Sequence, residues 1–103
     1  MLWETSDITD LKHATCKVVW QPKDPSNSFH IWAPEIHYIK GKWYIYYTAD
    51  DGNTDNHQLY VLENASLNPM HGSFHMKGRV VTDSKWNWGI LASVFENKGK
   101  LYL

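Results

Sequence analysis

Short stretches that mix β-branched, aromatic and polar residues alternate with turn-forming residues along the chain. Residues 35–39 and 42–48 are rich in Ile, Tyr and Trp and flank Lys40-Gly41, a two-residue break that contains glycine. This pattern predicts a β-hairpin. Further strands are predicted at residues 18–20, 58–62 and 73–81. The pattern indicates an all-β fold in which the hairpin and the two strands after it form a four-stranded antiparallel meander.

The first hairpin recurs near the end of the sequence. Residues 93–95 align with 37–39, and residues 99–103 align with 41–45, so the second turn is expected to be two residues longer. The repeat spacing is then 56 to 58 residues. A period of this length with four strands is typical of a β-propeller blade.

The repeat predicts a single partial propeller domain over residues 1–103. The division expected is the end of one blade at about 1–28, a complete blade at 29–82 and the first hairpin of the next blade at 83–103. Propellers close with about four or more blades, so the chain would hold only part of a ring. The alternative is a small free-standing sheet with exposed edges and a thin core.

Composition narrows the class of partner. Six Trp and six Tyr among 103 residues are many, and aromatic rings serve both to fill a core and to stack on sugar faces. Ten basic and eleven acidic residues give a formal net charge of -1, with no basic stripe. Nucleic acid is therefore not expected as a partner, because its binding depends on rows of cationic side chains facing phosphates.

The sequence contains no candidate membrane span, disulfide or signal peptide. Its longest apolar runs are about four or five residues, whereas a bilayer needs about 20. Cys16 is the only cysteine, so neither an internal disulfide nor a zinc cluster of thiolates is expected. The first residues have neither a basic nor an apolar signal region, so either the protein stays inside the cell or its true N-terminus is missing. The localisation is left open.

Several motifs occur in one order along the chain. They are Trp32-Ala33-Pro34-Glu35, Gly41-Lys42-Trp43-Tyr44, Tyr47-Thr48-Ala49-Asp50, Gly89-Ile90-Leu91-Ala92 and Gly99-Lys100-Leu101-Tyr102. With these motifs, nearly the whole chain resembles glycoside hydrolase family 43, most closely its α-L-arabinofuranosidase and arabinanase members. The resemblance implies a five-bladed β-propeller that hydrolyses arabinofuranosyl linkages in plant polysaccharides such as arabinan or arabinoxylan. It implies a carbohydrate partner and no cofactor, in a family that is usually secreted.

Inverting hydrolysis, which the resemblance implies, needs two carboxyl groups about 6.5–9.5 Å apart, one to protonate the leaving oxygen and one to activate water. The resemblance places the general base before residue 1 and the general acid after residue 103. In the family that the chain resembles, a third carboxylate normally follows an isoleucine. In this sequence Leu91 follows Ile90. Leucine cannot carry charge or tune the pKa of a neighbour. Whether the chain is an enzyme is therefore left open, and the isolated fragment is expected to be inactive.

Trp32 and Glu35 are the candidate substrate-binding residues. By the repeat alignment Glu35 occupies the position that Leu91 has in the next blade, so it is expected to face the central funnel. In this interpretation Trp32 stacks on a furanose face, and Glu35 accepts sugar hydroxyls or supports the acid–base pair. The alternative is that Trp32 packs between blades and Glu35 forms a structural ion pair.

Other polar residues have simpler interpretations. His37 is expected to be a hydrogen-bonded core histidine, His57 a packing residue, and no metal site is predicted. The oxygen-rich segment 50–56 invites a calcium interpretation, but no glutamate stands eleven residues after Asp50, so a solvated loop is predicted. Asn64-Ala65-Ser66 fits the short glycosylation acceptor pattern.

Two further interpretations are compatible with the sequence. A partial propeller without acid–base residues could act as a non-catalytic sugar-binding module, or could close a ring by forming a homo-oligomer through its open blade edges. The third possibility is a truncated product with no function of its own.

Overall fold

The protein is all-β in the residues that the computed structural model describes, 1–80 and 95–102. The strands are β1 (Leu2–Glu4), β2 (Thr15–Lys17), β3 (Phe29–Ile39), β4 (Lys42–Asp50), β5 (Gln58–Asn64), β6 (His75–Arg79), β7 (Phe95–Asn97) and β8 (Lys100–Tyr102). Two 3-10 helices, Pro25–Asn27 and Thr54–Asn56, precede β3 and β5. Within these residues, no helix is long and apolar enough to cross a bilayer. The prediction of an all-β chain is confirmed.

The central sheet is a four-stranded antiparallel meander in the order β3-β4-β5-β6. Two smaller antiparallel hairpins, β1-β2 and β7-β8, precede and follow it in sequence. The meander is the arrangement that the alternation of strands and turns predicted. The division of the chain into blades stays a prediction.

The two hairpin turns are alike. Ile39 pairs with Lys42 across Lys40-Gly41, whose φ angles are 50° and 84°. Asn97 pairs with Lys100 across Lys98-Gly99, whose φ angles are 51° and 76°. Two successive positive φ angles define the type I′ turn, which suits the right-handed twist of hairpin strands. The expectation of a longer second turn was wrong, because both turns contain two residues.

This equality changes the repeat alignment. A constant spacing of 58 residues joins Ile39 to Asn97 and Lys42 to Lys100. The alignment of Glu35 with Leu91 falls on residues that the structure does not describe, so it stays a prediction. Leu91 itself lies outside the described residues, so its replacement of a carboxylate stays a prediction from the family resemblance.

The short strand expected at residues 18–20 is not found, and the wrong prediction has a physical reason. The strand in this region is β2, at Thr15–Lys17. Val19 and Trp20 instead pack their side chains on the central sheet, where the Trp20 ring lies 5.5 Å from that of Tyr47. Apolar residues in sequence indicate that part of a segment packs on a core, but they do not show whether its backbone has a strand partner.

Other parts of the chain pack on one face of the central sheet and border a cavity on the other. On one face, Val19 and Trp20 pack against a buried cluster. The members of that cluster are Tyr47, Ala49, Tyr60, Leu62 and Phe74. On the other face, Tyr44, Tyr46 and Val61 line a cavity of about 330 Å³ together with Leu101 and Tyr102 of β8. The segment before the sheet thus packs on one face, and the hairpin after it approaches the other.

Strand β3 is an irregular edge strand. Phe29 pairs with Asp50 of β4, Trp32 with Thr48 and Glu35 with Tyr46. Between successive pairs, β3 advances by three residues while β4 advances by two. Each step is a β-bulge, and each contains a residue with φ of 48°, His30 and Ala33. Residues that face each other across a ladder point to the same side of the sheet. The bulge therefore brings Trp32 and Glu35 to one face although they are three positions apart.

Candidate functional site

A buried carboxylate lies between two histidines at the bulged end of β3. Asp50, the last residue of β4, is 0% exposed. Its Oδ1 accepts hydrogen bonds from His30 Nδ1 at 2.8 Å and from the Gly52 backbone N–H at 2.9 Å. Its Oδ2 accepts from Nδ1 of His57, which is equally buried, at 3.0 Å. Strands β3 and β4 and the turn before β5 thus meet at one charged group.

The hydrogen bonds keep Asp50 ionised. Burial raises the pKa of this carboxyl, but the bonds from His30, His57 and the Gly52 N–H outweigh it, so the pKa lies below its ordinary value of 3.8. An ionised carboxylate only accepts, so Nδ1 of each histidine carries a hydrogen. Asp50 is therefore poorly suited to protonate a leaving group, which requires a carboxyl with a raised pKa.

Trp32 lies against this cluster. Its ring centroid is 4.5 Å from that of His57, with 39° between the planes, and 5.7 Å from that of His30. The Trp32 carbonyl accepts a hydrogen bond from Thr48 Oγ1 at 3.2 Å. The residue is nevertheless 40% exposed. Trp32 is thus anchored at its backbone and beside its ring while part of its surface remains open.

Glu35 lies farther along the same face of β3 and has a different partner. Its Oε2 is 3.0 Å from Nε2 of His37, and the His37 ring meets the edge of the Tyr46 ring at 6.1 Å. The Glu35 side chain is 35% exposed. Trp32 and Glu35 therefore share a face, with Trp32 beside His30 and His57 and Glu35 beside His37.

Sequence reasoning missed His30 and treated Asp50 as a turn residue. His30 and Asp50 are 20 positions apart, and each looks like an isolated polar residue next to a loop. The nearest local signal is the spacing of seven between Asp50 and His57 on either side of a turn-rich segment. This spacing is a weak signal, because it does not show that the end of β4 and the start of β5 lie side by side.

Side-chain oxygens in the loop between β4 and β5 accept hydrogen bonds from within the same loop. Asp51 accepts from the Asn53 backbone N–H at 3.1 Å and from Asn56 Nδ2 at 3.0 Å. The Asn53 side chain accepts from the Asp55 N–H at 3.0 Å and so caps the 3-10 helix Thr54–Asn56. Among residues 1–80 and 95–102, no three His, Cys, Asp or Glu side chains are grouped to hold a metal ion.

The possible glycosylation acceptor has a structural role in the folded chain. Asn64 is 2% exposed, and its Nδ2 donates to the His71 carbonyl at 3.0 Å. Its Oδ1 accepts from the Ser66 backbone N–H at 2.9 Å. The nitrogen that would carry a glycan is thus used to hold the loop between β5 and β6.

Comparison with known proteins identifies the family. Residues 1–103 match the family model described as Glycosyl hydrolases family 43. An extracellular exo-alpha-(1->5)-L-arabinofuranosidase of Streptomyces chartreusis is 35% identical over 106 residues, which cover 100% of this chain and 32% of that protein. The Alpha-L-arabinofuranosidase 43 of Humicola insolens is 33% identical over 105 residues, which cover 100% of this chain and 21% of that protein.

A shorter match is closer in sequence. An extracellular exo-alpha-(1->5)-L-arabinofuranosidase of Streptomyces avermitilis is 50% identical over 56 residues, which are 52% of this chain and 11% of that protein. The chain thus spans about a third or less of the length of these curated relatives. The match over every residue, together with the similarity to three arabinofuranosidases, shows that the chain belongs to glycosyl hydrolase family 43.

Proposed function

We propose that this chain is part of a glycosidase that hydrolyses arabinofuranosyl linkages in plant polysaccharides such as arabinan or arabinoxylan. The observation that carries the proposal is the anchored but partly open Trp32 ring, on the same face as Glu35, in a chain similar over its full length to arabinofuranosidases. An aromatic ring with an open face can stack on the apolar face of a sugar.

We infer that the complete architecture is the five-bladed propeller implied by the family resemblance. Two observations support it. The segment before the central meander packs on one face, and the β7-β8 hairpin borders a cavity on the other. That hairpin also repeats the β3-β4 turn at a constant spacing of 58 residues. In such a ring β3, the first strand of its blade, would line the central funnel. Pro34 suits that place because an edge strand tolerates a missing N–H.

The proposed roles follow the local geometry. Trp32 stacks on a furanose ring, and the carboxylate of Glu35 accepts sugar hydroxyls or supports the acid–base pair while His37 holds its Oε2. Asp50 takes no part in proton transfer because it is buried and bonded to both histidines. The general base and general acid are supplied from outside residues 1–103.

A binding measurement tests the sugar site. We expect an α-1,5-linked arabino-oligosaccharide to change the tryptophan fluorescence of the purified chain, and Trp32→Ala to abolish the change. Trp3→Ala is the matched control, since Trp3 is an exposed tryptophan on β1. Equal loss in both variants, or binding retained in Trp32→Ala, would contradict the assigned subsite.

Activity is tested separately. We expect the chain alone to release no phenol from an aryl α-L-arabinofuranoside above the buffer rate, because its acid–base pair is incomplete. Turnover that scales with the concentration of the chain, and disappears in Glu35→Gln, would show instead that residues 1–103 contain the catalytic carboxylates.

A second proposal is a self-assembling partial propeller. The specific observation is that β3, at one edge of the central sheet, exposes the apolar side chains of Phe29, Ile31 and Tyr38. An edge strand offers free backbone groups for pairing with another chain. A homo-oligomer formed through such edges would complete sheets that one chain leaves open, and the test is its mass in solution.

A further inference from the structure

The cluster of Asp50, His30 and His57 has no role in the acid–base chemistry proposed above, yet it contains the most completely buried charge described in the chain. Burying an ionised carboxylate is costly unless hydrogen bonds compensate it. Three N–H donors do so here, one on β3, one in the turn after β4 and one just before β5. A carboxylate held from three directions is fixed in place, and it fixes the rings that donate to it in turn.

Trp32 lies beside the two histidine rings that Asp50 fixes in place. Its indole lies 4.5 Å from the His57 ring and 5.7 Å from the His30 ring, and its carbonyl is held by Thr48. His30 is itself set by the bulge of β3, where its φ is 48°. Contacts at the ring and at the backbone therefore restrict the rotamers of Trp32, while its exposed part remains accessible.

We propose that Asp50, His30 and His57 are positioning residues that hold the Trp32 indole as a pre-formed platform for the apolar face of an arabinofuranose ring. The inference rests on the proposed function, because it assigns a second layer to the same sugar site. Its physical basis is conformational entropy. A ring that is already ordered before the sugar arrives loses little freedom on binding, so more of the stacking energy appears as affinity.

Two variants test the platform. His57→Phe keeps an aromatic ring beside Trp32 but removes the donor to Asp50. His30→Asn removes the second imidazole with a residue type that tolerates positive φ, and it changes a partly exposed side chain, so it keeps the test available if His57→Phe does not fold. Far-UV circular dichroism checks folding. His13→Ala is the matched control, because it removes an exposed histidine–aspartate pair of similar length, His13 Nδ1 to Asp10 Oδ1 at 2.9 Å.

Two readouts separate positioning from binding. The emission of Trp32 is obtained by subtracting the spectrum of Trp32→Phe from that of the wild type. For each histidine variant, the spectrum of the same variant carrying Trp32→Phe is subtracted. We expect both variants to shift this emission without any sugar. We also expect them to weaken the affinity for an α-1,5-linked arabino-oligosaccharide by about three- to tenfold, the range that follows from freeing one large side chain. His13→Ala should do neither.

The outcomes separate this inference from the function on which it rests. If Trp32→Ala binds the oligosaccharide as the wild type does, the sugar subsite itself is wrong. If Trp32→Ala weakens binding but the folded histidine variants keep wild-type emission and affinity, the subsite stands and the positioning role is overturned. A shifted emission with unchanged affinity also overturns the platform, because the fixed ring would then contribute nothing to sugar binding.

Discussion

A few buried polar residues hold separate parts of this chain together. Asp50, His57 and Asn64 are each almost fully buried, and each joins parts of the chain that differ in sequence position. A buried polar group that loses its partner costs about 1–3 kcal/mol. Such residues are therefore fixed in place, which makes them useful both for holding loops and for orienting a neighbour such as Trp32.

Two stacked core tyrosines give a matched comparison at this scale. The rings of Tyr47 and Tyr60 are 5.7 Å apart. The Tyr60 hydroxyl donates to the Ser26 carbonyl at 3.3 Å, whereas the buried Tyr47 hydroxyl has no hydrogen-bond partner among the described residues. We expect Tyr60→Phe to lower the free energy of unfolding by about 0.5–1.5 kcal/mol and Tyr47→Phe to leave it unchanged or raise it slightly.

Urea unfolding of the three proteins measures this difference. The two variants remove the same atom from neighbouring rings, so changes in ring packing are matched. A larger loss of stability in Tyr47→Phe than in Tyr60→Phe would contradict the assignment of the hydrogen bonds.

At the scale of the elements, turns and bulges have different origins. The turns at Lys40-Gly41 and Lys98-Gly99 follow from local residue types, because glycine accepts the positive φ of a type I′ turn. The bulges at His30 and Ala33 depend on the pairing of β3 with β4 and use residues that rarely adopt this conformation. Unusual backbone conformations of this kind concentrate at functional sites, and here they lie on either side of Trp32.

Glu63 connects three strands of the central sheet. From β5 its carboxylate accepts hydrogen bonds from Lys77 of β6 at 2.9 Å and from Lys42 of β4 at 3.4 Å. The hydrogen bonds from Lys77 and Tyr44 lower the pKa of Glu63 from 4.5 to about 2. A depressed pKa means that the stabilisation is complete above pH 4.5 and is lost as the pH falls toward 2.

We therefore expect Glu63→Gln to melt below the wild type at neutral pH and the difference to close as the pH approaches 2. Thermal melts of both proteins across this range measure the gap. Lys77→Gln removes the nearest donor and should show the same closing gap. A difference that stays constant over the whole range would mean that Glu63 contributes through packing rather than through its charge.

At the scale of the whole molecule, β3 is an open edge of the central sheet among residues 1–80 and 95–102. Backbone groups at this edge and the exposed apolar side chains of Phe29, Ile31 and Tyr38 together favour association. Light scattering over a concentration series should therefore give a mass above that of one chain. Ile31→Lys should shift the mass toward the monomer, since lysine on an edge strand opposes pairing.

The control for this measurement is Leu67→Lys. Leu67 is 90% exposed and lies in the loop between β5 and β6, away from any strand edge. It should leave the mass unchanged. A wild-type chain that is monomeric at every concentration, or an equal effect of both lysines, would argue against assembly through β3.

The sequence by itself determined the features that depend on neighbours along the chain. Strands β3 to β6, the glycine turn of the first hairpin and the loop after β4 all follow from local residue types, and the motif series identified the family. The strand expected at residues 18–20 was not formed, and residues 19 and 20 instead pack, partly buried, on the sheet.

Only the tertiary structure decided the features that depend on strand pairing. The two bulges, the common face of Trp32 and Glu35, and the meeting of His30 with Asp50 arise because β3 pairs with β4 in one particular register. The equal turns likewise set the repeat spacing beside them at 58 residues. Register is a property of two strands together, and a shift of one residue changes which side chains share a face, so a linear pattern does not contain it.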